Sequence, residues 1–160
     1  MRSLLITTAF TALALGCTAN EPGPNTPDDG TQSANVPTTT ADNKEAGYSV
    51  ALPQGSSNTP TEKAPGQFEY TTPNGTVLIT VKTGDRAAFD AAKAMYTTKA
   101  TSFGGQAKGT DTQFSSAWRE AATGPRSSAT LLLGAGKLYE CTVTSSNAPT
   151  LMVCQSLKAL

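Results

Sequence analysis

Between Tyr48 and Leu160 the spacing of apolar residues switches from two to about three and a half and back again. "YSVALP" alternates Tyr48, Val50 and Leu52 and stops at Pro53, which reads as a short strand. "QFEYT" alternates Phe68 and Tyr70. The turn "TPNG" then joins it to "TVLITVKT", whose Val77, Ile79 and Val81 make the second arm of a hairpin. Next, "RAAFDAAKAMYTTKATSF" places Phe89, Ala92, Met95, Tyr96, Ala100 and Phe103 on one helical stripe. Asp85 is its expected N-cap and Gly104-Gly105 its stop. "TQFSSAWREAAT" alternates again, and "SSATLLLG" and "KLYECTVTS" form a hairpin about Gly134-Ala135-Gly136. Asn147 and Pro149 open a final helix, with Leu151, Cys154, Leu157 and Leu160 three apart.

This order predicts an α+β domain over residues 47–160. It has an antiparallel sheet of about five to six strands, one long helix and a short C-terminal helix. Residues 17–46 are different. They are rich in Pro, Thr, Asn and Asp and almost free of apolar side chains, so they cannot bury enough surface to offset the entropy of ordering. They read as a disordered tether, a reach of roughly 30 Å for a flexible coil. "GYSVALP" at the start, a long helix after the first hairpin and "CQSLKAL" as a last helix after a strand resemble the PsbP-like fold family over Gly47 to Leu160. The resemblance implies an antiparallel sheet flanked by helices and a non-enzymatic, binding or assembly-supporting role. It carries over no functional residue.

The start of the chain speaks of location. Arg2 is followed by an uncharged run, Leu4 to Leu15. That run is too short for a span, which needs ~20 apolar residues, but suits a secretory core of ~7–15. It ends in Ala14-Leu15-Gly16-Cys17, which resembles the bacterial lipobox, although Leu is commoner than Ala at its first position and a smaller residue than Leu at its second. The expected pieces are a signal peptide, 1–16, and lipid attachment at Cys17. Only a thiol takes the thioether-linked diacylglyceryl group, and small Gly16 lets the peptidase reach the bond. Two or three acyl chains hold stably where one does not. The resemblance implies a lipoprotein anchored to a bacterial membrane. Thr18 after the anchor favours the outer membrane, facing the periplasm.

Composition then removes function classes. Twelve basic and twelve acidic residues balance, charged residues are 15%, and no basic field exists for nucleic acid. Histidine is absent, which excludes Ser-His-Asp and Cys-His catalysis and the commonest metal ligand. No cofactor and no metal site is expected. "FGGQAKG" lacks the spacing of a phosphate loop, and Asp28, Asp29 and Asp111 lack the spacing of a calcium loop. Trp118-Arg119-Glu120 reads as a core Trp beside a solvated ion pair, since strand neighbours point to opposite faces. With Cys17 lipidated, Cys141 and Cys154 remain and read as one disulfide in an exported chain.

Two functions follow. The first is a membrane-anchored, non-catalytic binding or scaffold domain, contacting the membrane through its lipid and an envelope protein as partner. The second is an envelope hydrolase with a His-free mechanism, either carboxylate-based or a Ser-Lys dyad using Lys108 or Lys137.

Overall fold

The computed structural model describes residues 37–160. The expected signal peptide and Cys17 lie outside them. The described chain is antiparallel throughout its sheets, with one long helix and one short C-terminal helix, as the periodicity indicates. Its strands number ten in two sheets, more than the five to six expected of one.

The smaller sheet is built from β1 (Thr38–Asn43), β2 (Tyr48–Pro53) and β10 (Lys158–Ala159), with β2 in the centre. β1 corrects the tether boundary, because Thr38 to Asn43 pair with Pro53 to Tyr48 in an unbroken ladder. A run of three threonines has strong β propensity without being hydrophobic, and the core asks only for Ala41. The tail corrects the last helix. α2 (Ala148–Met152) passes into a 3₁₀ turn (Val153–Ser156), after which Lys158 and Ala159 pair with Ser49 and Tyr48. Leu157 is buried, whereas Leu160 is exposed. Asn147 caps α2 through its side chain, accepting from the Thr150 N–H at 3.2 Å.

The larger sheet has the order β3-β4-β5-β9-β8-β7-β6. One half is the meander β3 (Thr61–Ala64), β4 (Gln67–Thr72) and β5 (Gly75–Thr83). The other is β6 (Gln106–Gly109), β7 (Gln113–Trp118), β8 (Arg126–Gly134) and β9 (Lys137–Ser145). Between them α1 (Arg86–Ser102) crosses one face of the sheet. Its 17 residues span about 25 Å. The crossing from β5 to the far edge at β6 is about 19 Å of strand spacings. The helix is therefore long enough to carry the chain across, and the meander then walks back until β9 joins β5.

Local chemistry sets the ends of α1. Asp85 Oδ1 accepts the Ala88 N–H at 2.9 Å. At the other end Gly104 takes φ 62°, and the Gly105 N–H reaches back to the Ala100 carbonyl at 2.7 Å. The β8–β9 hairpin turns on Ala135 and Gly136 alone, with φ 50° and 70°. A two-residue hairpin of this kind requires a positive φ at both positions, which suits Gly136 and strains Ala135.

Two cores result, one on each face of the large sheet. Tyr48, Val50 and Leu52 of the small sheet meet Tyr70, Val77, Ile79, Tyr139, Cys141 and Val143, closed by Val153, Cys154 and Leu157. On the opposite face Phe89, Ala92 and Tyr96 of α1 meet Phe114, Trp118, Ala129, Leu131 and Leu138. Met95, which the sequence placed on the stripe, is 53% exposed.

Candidate functional site

Cys141 and Cys154 form a disulfide, with Cα atoms 5.3 Å apart, inside the range such bonds require. It ties the 3₁₀ turn to the centre of the large sheet, and both residues are fully buried. The Ser156 hydroxyl accepts the Ala51 N–H at 2.8 Å and so fixes the same turn to β2. This pair is structural, since it is sealed from solvent.

The other residues singled out in the sequence separate into different places. Trp118 is buried and packs on Tyr96 with ring centroids 5.9 Å apart and tilted by 33°, while the Lys99 ammonium lies 4.9 Å from the centre of the Trp118 ring. Glu120 returns to the same side, accepting from the Trp118 indole at 3.4 Å and pairing with Lys99 at 3.5 Å. The expected Arg119–Glu120 pair is therefore corrected: the acid belongs to Lys99, and Arg119 donates to the Ala122 carbonyl at 2.9 Å. Lys108 stands directly opposite Ser115 in the β6–β7 ladder. The Ser115 hydroxyl, however, shares its hydrogen bond with Thr130 at 3.1 Å. Lys137 donates to the Ala46 carbonyl at 3.0 Å, which holds the β1–β2 turn. Asp111 receives Arg86 at 3.2 Å.

All four tyrosines have phenols pushed above their ordinary range, in each case chiefly by burial. Tyr48 and Tyr70 also share a hydrogen bond of 3.1 Å, and Tyr96 donates to Glu140, whose other oxygen faces Lys82 at 3.5 Å. Among the described residues no group of three or more His, Cys, Asp or Glu is placed to hold a metal ion. No helix among them is long and apolar enough to cross a membrane.

Two open clefts lie at opposite ends of the large sheet. The first, about 330 Å³, is floored by Ala46, Phe68 and Val81 and walled by Glu45, Glu62, Lys82 and Lys137. Its charges balance. The second, about 340 Å³, lies where the β7–β8 connection and the β9–α2 connection meet, and Arg119 and Arg126 enter it with Ala148 and Leu151. No carboxylate lines it. In the sequence Arg119 stands out only beside Trp118, and Arg126 does not stand out. The available signal was that these arginines bracket a loop between two strands, so an antiparallel hairpin returns one opposite the other.

No protein-family model matches the chain, and no curated protein matches it. Among solved structures, the solution structure of cyanobacterial PsbP (CyanoP) from Synechocystis is similar with a TM-score of 0.48 and 11% identity, covering 88% of this chain and 100% of that one. A crystal structure from Bacteroides thetaiotaomicron is similar with a TM-score of 0.47 and 17% identity, covering 71% of this chain and 45% of that one. Neither neighbour assigns a role to a residue here.

Proposed function

We propose that this chain is a non-catalytic binding domain of a bacterial envelope, held to the membrane by lipid on Cys17. The observation that carries the reading is the division of labour among its three cysteines. Cys141 and Cys154 are joined inside the domain, which suits an oxidising compartment, and the third stands at the boundary of an apolar leader. Thr18 beside the anchor favours the periplasmic side of an outer membrane, and the clefts at the sheet ends are where a ligand or an envelope partner would sit. The hydrolase alternative has its nearest support in Lys108 opposite Ser115, but that hydroxyl is already engaged by Thr130.

The test is radiolabelled palmitate fed to cells expressing the chain. Cys17→Ala should abolish label and leave a larger, uncleaved precursor; equal labelling of both chains refutes the anchor. A screen with ester and sugar substrates addresses catalysis separately. Turnover abolished by Ser115→Ala would replace the binding reading with the hydrolase.

A further inference from the structure

We infer that the cleft between the β7–β8 and β9–α2 connections is a binding site for a small soluble oxyanion, a carboxylate or phosphate carrying a short apolar group. The inference goes beyond the anchored-domain reading and stands whether or not Cys17 is lipidated.

The argument begins with the hairpin. The β7–β8 ladder ends on the pair Trp118↔Ser127, so Arg119 and Arg126 take the next opposing positions. Alternation sends both to the disulfide face. Trp118 and Ala129 point towards α1. Arg119 is one residue from Trp118 and Arg126 three from Ala129, both odd steps along a strand, so both point away from it. Like charges at opposing positions destabilise a pair of strands. A chain of balanced charge could have set an acid there, and it does not. Among the described residues neither guanidinium takes part in an ion pair, although acids elsewhere engage Lys63, Lys82, Arg86 and Lys99.

The cleft supplies the rest of a ligand's needs. Arg119 is half-buried and anchored by its bond to the Ala122 carbonyl, which leaves further N–H donors of the guanidinium for a ligand. Two planar forks match the paired oxygens of a carboxylate or phosphate. Thr123 and Ser146 border the same space, and Leu151 with Ala148 gives one apolar wall. A volume of about 340 Å³ is at the small end for ligand pockets and suits a short apolar group. The opposite cleft is of similar size but walled by two acids and two bases, so it has no net demand for an anion. An oxyanion between Arg119 and Arg126 would turn their repulsion into two attractions.

The experiment is an amide NMR titration of the purified chain with butyl phosphate and with pentanoate, at about 0.15 M salt so that loose surface attraction is screened. Vesicles of phosphatidylglycerol, set against phosphatidylcholine, form a further arm. The expected result is saturable shifts at Gly124, Arg126, Ser146 and Leu151, with a Kd of ~1 mM or tighter. R119Q and R126Q should each weaken binding by about tenfold or more, as loss of a charge-assisted hydrogen bond requires, and K63Q on the edge strand β3, outside both clefts, should leave it unchanged. Without ligand, R119Q should melt at the same temperature as the parent or higher. Shifts that do not saturate, equal affinity in R126Q, or a response to anionic vesicles alone would each overturn the assignment.

Discussion

The two faces of the large sheet are covered by opposite means. One is sealed by α1, a single continuous segment with its own side-chain cap at Asp85 and its own glycine stop at Gly104. The other is sealed by pieces from both ends of the described chain, β1 and β2 from one and α2, the 3₁₀ turn and β10 from the other. A local cover pays little loop-closure entropy, and a non-local one pays much more. That difference explains where the fasteners are. The disulfide, the Ser156 bonds to Ala51 and the Tyr48–Tyr70 hydrogen bond all lie on the composite face. The helical face has one buried-side tie of this kind, Tyr96 to Glu140, and otherwise relies on packing, with Phe89 fully buried.

Breaking each cover in turn tests the contrast. Phe89→Ala should have the largest effect, a loss of about 3–5 kcal/mol, because a buried aromatic leaves both lost transfer energy and a cavity. Denaturant unfolding measures it. A loss below 1 kcal/mol would mean that the helix does not depend on this packing.

Replacing both Cys141 and Cys154 by Ala should cost about 3 kcal/mol, the value for a loop of their 13-residue separation in the chain-entropy model. Hydrogen exchange should then quicken first in β2, β10 and the 3₁₀ turn while α1 stays protected. Equal acceleration on both faces would erase the distinction.

Tyr48→Phe should cost about 1 kcal/mol, since it leaves the Tyr70 hydroxyl and the Asn43 amide without their partner. The same phenols predict a pH limit. Folded tyrosines keep their protons above the ordinary value of about 10, where the unfolded chain has released its own. Stability is therefore unaffected by them below about pH 10 and falls as pH rises further. Absorbance near 295 nm should show tyrosinate appearing together with unfolding, and smooth ionisation at the ordinary value in a still-folded chain would refute this.

Ala135→Asn should have the smallest effect and the opposite sign, a gain of about 0.5–1 kcal/mol, because Asn accepts the positive φ that the turn imposes on Ala135. This hairpin joins the strands beneath both covers, so the gain should protect the two faces equally. Thermal melting and hydrogen exchange read both effects.

Where a segment carries its own instructions, the sequence is enough. The stripe of Phe89, Ala92, Tyr96 and Ala100 with Asp85 before it and Gly104 after it specifies α1. Alternation in "YSVALP" and "TVLITVKT", with the turn "TPNG", specifies β2 and the β4–β5 hairpin, and Cys141 and Cys154 form the expected bond. β3 and β6 were not legible, because edge strands expose nearly every side chain and so show no apolar period. β1 was hidden for a related reason, with one buried residue in six. The change from helix to strand after Ser156 was decided by β2, whose free edge offered Lys158 and Ala159 partners that a helix would have left unmet. The juxtaposition of Arg119 and Arg126 belongs to this second class. Their spacing says only that a loop lies between them, and it is the β7–β8 register, fixed by Phe114 and Trp118 turning inward to meet α1, that sets both guanidinium groups beside α2 in one cleft.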